Sequence, residues 1–378
     1  MGYYEYVATC LFGLEKFLSD EIEALGYKKL KTVDGRVTFC GDEDAVARFN
    51  IFSRYAERLY INLGSFTAST FTELFDGTKE LPFECFIGID DCFPVTGSSV
   101  KSKLTSIPDC QSIIKKAIVE KLKESYRIDW FKETGALYRI EFFISHDIAT
   151  IMIDTSGAPL HKRGYRPDSN AAPLRETLAA AMVKIARPRT DVLLWDPFCG
   201  SGTIAIEAAM LMTNTAPGLN RTFAAQQFDF LDDNIWKRAK EEAKDKIIQN
   251  CEFYAFASDI DGKCISLTKA NAKRAGVENS IKVFKMDMRY IKTNGKRGTI
   301  VCNPPYGERM MNLNSAEKLY KDMGVAFSKL DNWQIYIISS FDGFEKAYGR
   351  HADKIRKLYN GRLKCNYYQY FKNKKVRT

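Results

Sequence analysis

The amino-acid sequence predicts an α/β domain with a doubly wound, mostly parallel sheet, preceded by smaller α+β units. First, strand-like and helix-like patterns alternate regularly from about residue 173 to residue 339. Second, Asn360-Gly361 separates two strand-like runs near the end of the chain, which predicts an antiparallel hairpin. Third, residues 156–172 are rich in Gly, Pro, Asn and Arg, and we interpret them as a linker between the two parts.

The part before the linker divides into two candidate units, residues 1–60 and 61–155. The first alternates strand and helix patterns twice, in YYEYVATC, GLEKFLSDEIEALGY, DGRVTFCG and EDAVARFNIFSRYAERLY. The second begins with a short helical pattern at FTELF and a strand at CFIGID. An amphipathic helix at SIPDCQSIIKKAIVEKLKE and two strands in YRIEFFISHDIATIMIDTS follow. Each unit is therefore predicted to be α+β.

Residues 173–378 carry the longer alternation. The predicted strands are DVLLW, FYAFAS, IKVFK, GTIVC and WQIYIIS, and the predicted helices are RETLAAAMVKIA, TIAIEAAMLM, GKCISLTKANAKRAG and AEKLYKDMGVAFSKL. In an open sheet of this kind, ligands bind beside the carboxyl ends of the strands. We therefore expect the functional residues to follow the strands directly.

The composition limits the class of protein. The chain has 378 residues, 45% of them apolar and 27% charged, which is typical of a globular protein of two or three domains. Its net charge of +9 is compatible with a polyanionic partner. The 10 cysteines form no C-x-x-C pair and there are 3 histidines, so no zinc site is predicted. With neither a signal-peptide pattern nor a bilayer-length apolar run, we expect a cytoplasmic protein with no membrane or metal partner.

The loop after the first strand of the predicted sheet has the sequence DPFCGSGT, residues 196–203. Gly200 and Gly202 permit a sharp turn and a close approach of the backbone to a ligand. The loop lacks the Gly-Lys-Ser/Thr ending of a P-loop, and Asp196 would repel a phosphate group. A carboxylate at this position suits a ligand with an ammonium group, such as an amino-acid moiety.

Two further carboxylates follow the next two strands. Asp259 can accept hydrogen bonds from both hydroxyl groups of a ribose. Asp287 can accept one from an adenine amine, with Met286 and Met288 against the ring. Amino acid, ribose and adenine in this order describe S-adenosylmethionine. A single Asp after a strand is more often a helix cap, so the prediction depends on the combination.

The fourth strand ends in the motif NPPY, residues 303–306. Pro304 and Pro305 fix the backbone and remove two N–H donors. The Asn303 side-chain oxygen and the Pro304 carbonyl can then accept both hydrogens of a planar NH₂ group, and Tyr306 can stack on the ring that carries it. Such a site aims a nitrogen at a methyl sulfonium, and positioning can supply most of the catalysis. A C5-pyrimidine methylase with Cys199 or Cys302 as nucleophile is disfavoured, because neither lies beside a His.

Together these motifs resemble the bacterial THUMP-domain N2-guanine RNA methyltransferases, whose longer members include the rRNA methyltransferase L protein. DPFCGSGT, SDID and NPPYGER carry the resemblance in the sheet domain. VKSKLTSIPDCQSIIKKAIVEKLKE resembles the THUMP module, YVATCLFGLEKFLSDEIEALGY a ferredoxin-like domain, and HKRGYRPDSNAAPLRETLAAAM the segment before the sheet. The resemblance implies a class I S-adenosylmethionine-dependent methyltransferase fold with an antiparallel last strand. The chain contains one such domain, so we expect a single activity.

The resemblance assigns roles by position. Cofactor binding is implied for Leu174, Thr177, Asp196, Phe198, Gly200, Gly202, Thr203, Asp259, Ile260, Asp287 and Asn303. Binding of the target base is implied for Asn303, Pro304, Pro305 and Tyr306. RNA phosphate contacts are expected at Lys101, Lys103, Lys115, Lys116, Arg163, Arg166 and Arg309, although for any single lysine a solvated surface is the preferred explanation. RNA would be held by the N-terminal half, which we expect to be basic, and a guanine flipped into the NPPY pocket.

The expected activity is methylation of a guanine N2 amine in large-subunit (23S) rRNA. One alternative is the same reaction on tRNA, because THUMP modules serve both RNAs. A second is a glutamine methylase that acts on a protein. An RNA-binding or ribosome-assembly factor with an inactive methylase half is a third, disfavoured because all the expected catalytic residues are present.

Overall fold

The computed structural model describes residues 3–167, 174–293, 295–305 and 313–371. These residues form two compact units. The first unit comprises residues 1–10, 18–160 and 222–242, and the second comprises residues 11–17, 161–221 and 243–378. Each unit therefore includes a segment that lies, in sequence, within the other.

The first unit is built on one seven-stranded sheet of order β2-β3-β1-β4-β7-β6-β5. Its strands are β1 (Tyr4–Cys10), β2 (Lys28–Val33), β3 (Arg36–Gly41), β4 (Ala56–Thr67), β5 (Val95–Val100), β6 (Ile140–Ser145) and β7 (Ile148–Asp154). Strand β4 crosses residue 60, so residues 1–60 and 61–155 share this sheet. The helices are α1 (Glu15–Ala24), α2 (Asp44–Phe52), α3 (Phe71–Lys79) and α4 (Ile107–Tyr126).

Three sequence predictions in this unit were wrong. The helix predicted to continue to Tyr60 ends at Phe52, because residues 56–60 pair with β1 as part of β4. CFIGID is not a strand, since it begins at the end of a 3₁₀ turn over Phe83–Cys85 and continues as an irregular loop. Strands β2 and β5 were missed, because KKLKTV and VTGSSV carry little apolar alternation.

In the sequence, residues 222–242 lie between two segments of the second unit, but they pack in the first unit. The ring of Phe228 stacks on Tyr138 with centroids 4.2 Å apart, and the Phe230 ring lies 5.0 Å from Phe86. Helix α7 (Asn234–Asp245) contributes a bidentate ion pair in which Arg48 donates to both carboxylate oxygens of Glu242, at 2.8 and 2.9 Å. This segment is therefore a structural part of the first unit.

The second unit contains the predicted α/β sheet, with strand order β10-β9-β8-β11-β12-β14-β13. Its strands are β8 (Leu193–Asp196), β9 (Ala255–Asp259), β10 (Ile281–Lys285), β11 (Gly298–Cys302), β12 (Trp333–Ser339), β13 (Lys354–Asn360) and β14 (Leu363–Tyr370). Strands β8 to β12 run parallel to one another, whereas β14 is antiparallel to both β12 and β13. The predicted fold class, including its antiparallel last strand, is confirmed.

Helices cover both faces of this sheet in the doubly wound pattern. They are α5 (Glu176–Ala186), α6 (Thr203–Met212), α8 (Gly262–Arg274), α9 (Leu313–Phe327) and the short α10 (Phe344–Tyr348). The core between β11, β12 and helices α9 and α10 is aromatic, with Tyr320, Phe344 and Tyr368 almost fully buried. The closing hairpin turns at Gly361 and Arg362, and Gly361 has a φ of +66°. No helix within the described ranges is long and apolar enough to span a bilayer.

Candidate active site at the carboxyl edge of the sheet

The loop between β8 and α6 is held open by backbone geometry. Gly200 and Gly202 have φ values of +52° and +86°, which disfavour other residues. A Cβ at Gly202 would lie 2.7 Å from Thr268 Cγ2, so the position also excludes a side chain sterically. From α8, the Thr268 hydroxyl donates to the Gly200 carbonyl at 2.9 Å, and Asn271 Nδ2 donates to the Ser201 carbonyl at 2.9 Å. Two buried α8 side chains thus fix the conformation of this loop.

Asp196 ends β8 with a side chain that is 1% exposed. Its carboxylate accepts the backbone N–H of Phe198 at 3.1 Å, and no ion pair to it is found among the described residues. Burial raises the pKa of Asp196 to about 8, with a further contribution from Asp259. A buried carboxylate with no cation of its own is costly, so a ligand ammonium group would supply its missing counter-charge.

Asp259, at the end of β9, joins two loops. Its carboxylate accepts the backbone N–H groups of Gly200 at 2.9 Å and of Asp261 at 3.0 Å. One carboxylate has about four acceptor positions, so positions remain for ribose hydroxyl groups. The next side chain, Ile260, is 61% exposed and places an apolar surface beside them.

Asp287 follows β10 and is held by Arg289, which donates from Nη2 at 2.5 Å and from Nε at 3.0 Å. The Arg289 guanidinium lowers the pKa of Asp287, so this carboxylate stays ionised as a hydrogen-bond acceptor. Met288 is buried and Met286 packs against the same apolar core. Asp196, Asp259 and Asp287 therefore end three neighbouring strands at one edge of the sheet, as predicted.

Asn303 follows β11, the neighbour of β8 on the other side. Its Oδ1 atom is buried and has no hydrogen-bond partner among the described residues. A buried acceptor left unpaired costs about 1–3 kcal/mol. Pro304 and Pro305 follow it and have no N–H groups that could donate to it. The end of β11 thus presents an acceptor that a ligand N–H can satisfy.

The sequence did not single out Tyr320, which holds this turn in place. From helix α9, its fully buried hydroxyl donates to the Pro305 carbonyl at 3.0 Å and lies 3.3 Å from Ser339 Oγ on β12. In the sequence, Tyr320 is one apolar residue of an amphipathic helix, so no local signal separates it from its core neighbours.

Tyr320→Phe is expected to lower kcat about tenfold and leave cofactor affinity unchanged. The ring would still fill its core site, but the Pro305 carbonyl would lose the donor that fixes the turn. Steady-state kinetics and calorimetric titration with S-adenosylhomocysteine test this. Tyr336→Phe, which removes a hydroxyl that donates to Gln334 Oε1 at 3.2 Å and does not contact the described part of the turn after β11, is the control. An unchanged kcat in Tyr320→Phe would contradict the assigned role.

Arg166 was predicted to contact RNA, but the structure corrects this. Its guanidinium is nearly buried, lies 3.0 Å from Glu176 Oε1, and donates to the Leu174 carbonyl at 3.0 Å and to Thr203 Oγ1 at 2.7 Å. It thereby links the segment before the sheet to the first residue of α6. Leu174 and Thr177 are both buried beside this link, so their proposed part in closing the cofactor site remains a prediction.

Arg163 is likewise not available to phosphate. Its side chain is 2% exposed and lies 3.5 Å from the fully buried carboxylate of Glu207, which also accepts the Tyr165 hydroxyl at 3.1 Å. The composition of this segment predicted a linker, but Arg163 and Tyr165 form a buried polar cluster with Glu207.

Arg163→Ala is expected to reduce the free energy of unfolding by about 3–5 kcal/mol, because it leaves the Glu207 charge buried without its counter-ion. Urea unfolding at pH 7 measures this change. Arg189→Ala removes an exposed guanidinium and is expected to change stability by less than about 1 kcal/mol. Equal stabilities of the two variants would show that the Glu207 cluster is not a buried ion pair.

The predicted RNA ligands of the first unit differ in availability. Lys115 Nζ lies 2.7 Å from Glu133 Oε1 and 3.4 Å from the centre of the Phe93 ring, so this partly exposed lysine already has local partners, and its contact with RNA remains a prediction. Lys101, Lys103 and Lys116 are exposed, and their contact with RNA remains a prediction. Tyr306 and Arg309 lie outside the described residues.

The structure also bears on two alternative chemistries. Burial raises the pKa of both the Cys199 and the Cys302 thiol, which disfavours the thiolate that a C5-pyrimidine methylase needs. Within the described ranges, no group of three or more His, Cys, Asp or Glu side chains is arranged to hold a metal ion.

Comparison with known proteins identifies the family. The family model described as "RMKL-like, methyltransferase domain" matches residues 163–369, more than half of the chain. The chain belongs to this family. Models of the RlmL ferredoxin-like domain and of the THUMP domain match residues 5–60 and 68–154. The resemblance inferred from DPFCGSGT, SDID and NPPYGER is thus confirmed.

Individual relatives agree with the family assignment. YpsC of Bacillus subtilis (strain 168), named as a candidate RNA methyltransferase, is 46% identical over 98% of this chain and 97% of its own length. The ribosomal RNA large subunit methyltransferase K/L of Psychromonas ingrahamii is 31% identical over 93% of this chain, which covers 48% of that protein. The crystal structure of SMU.472, a candidate methyltransferase complexed with SAH, has a TM-score of 0.92 and 38% identity and covers 99% of both chains.

The protein is therefore an S-adenosylmethionine-dependent methyltransferase of the RMKL-like family. Its residues fit the cofactor. Among the described residues Asp196 has no cationic partner, which an ammonium group would supply, and the positive φ values of Gly200 and Gly202 form the sharp turn that follows it. Asp259 retains acceptor capacity for a ribose beside the exposed Ile260. When bound, the cofactor supplies a methyl group already activated on a sulfonium.

Proposed function

We propose that the protein methylates the exocyclic N2 amine of a guanine in RNA, and that this RNA is the large-subunit ribosomal RNA. The observation that carries the proposal is the buried Oδ1 of Asn303, which has no hydrogen-bond partner among the residues that the structure describes. It follows β11 and precedes two residues without N–H groups, next to the strand that ends in Asp196. An acceptor in that position selects a group that carries hydrogens, as a planar amine does.

The residues of this edge would act mainly by positioning. Asn303 Oδ1 accepts one amine hydrogen and the carbonyl of Pro304 accepts the other, which directs the nitrogen lone pair at the methyl group. As the nitrogen bonds to the methyl carbon, the bond between that carbon and the sulfonium would break, and the sulfur would leave as the neutral thioether of S-adenosylhomocysteine. The methylated nitrogen would then be cationic, so its proton could pass to water without a strong base. The Tyr320 hydroxyl keeps the turn rigid while this happens. Exocyclic amines of guanine, adenine and cytosine all satisfy this geometry, so the choice of guanine draws support from the family motif NPPYGER.

The choice of RNA draws support from the THUMP match at residues 68–154 and from the names of the relatives, one of which acts on large-subunit rRNA. A protein acceptor receives no comparable support. The basic character expected of the N-terminal half is not part of this support, because residues 1–160 contain 18 Lys and Arg against 24 Asp and Glu. That expectation was wrong.

The test uses S-adenosylmethionine with a radiolabelled methyl group and RNA from cells that lack this protein. Large rRNA, small rRNA and tRNA are separated after reaction, digested, and the labelled nucleoside is identified, with Asn303→Ala as the blank. Label in N2-methylguanosine from large rRNA is the expected result. The same nucleoside from tRNA would overturn the rRNA assignment, and labelled adenosine or cytidine would overturn the target atom. If no RNA, free or in ribosomal subunits, accepts label while the cofactor binds, the proposed function fails.

A further inference from the structure

The positive charge of the chain is concentrated in the sheet domain. Residues 161–378 contain 38 Lys and Arg against 23 Asp and Glu, the reverse of the acidic N-terminal part. Within them, residues 262–297 carry ten Lys and Arg against two Asp and Glu. All ten basic side chains are exposed. We call the surface formed by these ten side chains the β10 edge surface.

This surface follows the β10 side of the second unit from the carboxyl ends of the strands, near Lys285, to their amino ends, near Lys273 and Lys282. Strand β10 is the edge strand of the sheet, and helix α8 packs against it. The basic side chains come from α8 (Lys263, Lys269, Lys273, Arg274), from β10 (Lys282, Lys285) and from the segment that leads to β11 (Arg289, Lys292, Lys296, Arg297). Three successive elements thus contribute to one basic surface.

Most of these charges are not neutralised within the described part of the chain. Arg289 pairs with Asp287 and Arg297 with Asp191, but no ion pair involves any of the seven lysines. Lysines on an edge strand protect it from pairing with other chains. Lys273 lies in the last turn of α8, where a cation interacts favourably with the helix dipole. Neither reason applies to Lys292 and Lys296, which lie in a loop, or to the density of like charges. Unpaired like charges at this density repel one another, and a polyanion would relieve that repulsion.

The surface also carries an exposed aromatic ring. Tyr290 is 71% exposed and lies between Arg289 and Lys292. Exposed rings among basic residues are a common arrangement for stacking unpaired bases of single-stranded nucleic acid, whereas a folded protein alone gains little from leaving a tyrosine in water.

The opposite edge of the sheet is basic but less open. Lys354, Lys357 and Lys364 are exposed on the hairpin β13–β14. However, residues 11–17 cover part of β13, since the Arg356 guanidinium lies 4.9 Å from the centre of the Phe17 ring and donates to the Gly13 carbonyl at 2.8 Å. The β10 edge surface is therefore the better site for an extended partner.

The part of this surface at the carboxyl end of β10 is close to the reacting centre. Strand β10 is three positions from β11 in the sheet, which places their carboxyl ends roughly 14 Å apart at a spacing of about 4.8 Å per strand. A nucleotide chain spans this distance within a few residues.

We propose that the β10 edge surface binds the phosphodiester backbone of the RNA strand that carries the target nucleotide, from a point near the flipped base along β10 and α8 towards the amino ends of the strands. This inference rests on the proposed function, because it takes RNA as the substrate. It places a principal electrostatic contact with RNA on the catalytic unit itself.

The test replaces three lysines away from the cofactor site in one variant, Lys269→Gln, Lys273→Gln and Lys282→Gln. With large-subunit rRNA as substrate, KM for RNA is expected to rise at least tenfold at about 0.15 M salt, with kcat and the affinity for S-adenosylhomocysteine unchanged. The slope of log Kd for RNA against log salt is expected to fall by about 2, because each phosphate of a single strand that a lysine neutralises adds about 0.7 to that slope.

Two matched triple variants serve as comparisons. Lys318→Gln, Lys321→Gln and Lys329→Gln remove three exposed lysines in and just after α9 and are expected to leave the salt slope unchanged. Lys354→Gln, Lys357→Gln and Lys364→Gln test the opposite edge. The proposal is overturned if the β10 triple matches the wild type, or if the opposite-edge triple shows the larger loss. Absence of RNA binding and methylation in the wild type would instead indicate failure of the proposed function.

Discussion

Asn303→Ala is expected to lower the rate of methyl transfer by roughly 10²–10³-fold, a loss comparable to removal of one group that stabilises a transition state. The same change should not destabilise the protein. The Oδ1 atom that it removes is buried and has no partner in the described ranges of the chain, so its removal eliminates a cost of about 1–3 kcal/mol and leaves only a small cavity. Activity and stability are thus expected to move in opposite directions, and single-turnover methylation with urea unfolding measures both.

Asn366→Ala is the matched control, because Asn366 lies on β14 and its amide donates to the Tyr368 hydroxyl at 3.3 Å. This variant is expected to retain activity and to lose some stability. If Asn303→Ala kept full activity, the acceptor role of Asn303 would be wrong. If it lost activity and stability together, Asn303 would be a structural residue with partners of its own.

Asp196→Asn is expected to weaken cofactor binding by at least 100-fold and to stabilise the cofactor-free protein at alkaline pH. Burial raises the pKa of this carboxyl to about 8 in the folded chain, above its usual value of 3.8. A group with a raised pKa contributes stability that is fully present below the unfolded value and is lost as pH rises through the folded value. The wild type therefore carries a growing cost from about pH 4 to about pH 8, whereas Asn cannot ionise.

The cofactor-free variant should accordingly be more stable than the wild type at pH 8.5, and the difference should shrink towards pH 4. Thermal unfolding across this range measures it, and titration with S-adenosylhomocysteine at pH 7 measures the loss of affinity. Asp331→Asn, at an exposed position, is the control for both. A stability difference that does not change with pH would contradict the raised pKa.

The sequence was most informative where local chemistry and topology coincide. Asp196, Asp259, Asp287 and Asn303 each end a strand, and the parallel order of those strands brings them to one edge. That inference needed only the strand pattern and the rule for open sheets. The antiparallel hairpin at the end of the sheet was predicted as well, because Asn360-Gly361 is a strong local turn signal.

The sequence was least informative where long-range packing decides. Arg163 and Arg166 belong to a segment whose composition indicated a linker. Only the fold shows that both are buried and lie beside the carboxylates of Glu207 and Glu176. Tyr320 acts through a carbonyl 15 residues away, which no periodicity reveals. Strand β2, with every residue exposed, pairs at a sheet edge although its composition lacks alternation.

The two units are interleaved in the sequence, and this affects any experiment that truncates the protein. A fragment that begins at residue 156 would still contain residues 222–242, whose Phe228 stacks on Tyr138 in the missing part. It would also lack residues 11–17, which cover β13. Such a fragment would expose one apolar segment and uncover another edge, so its failure to bind RNA would say little about the THUMP domain. The role of each unit in RNA binding is therefore better tested by point substitutions in the full chain. For the same reason, recombination could not exchange either unit as one continuous segment.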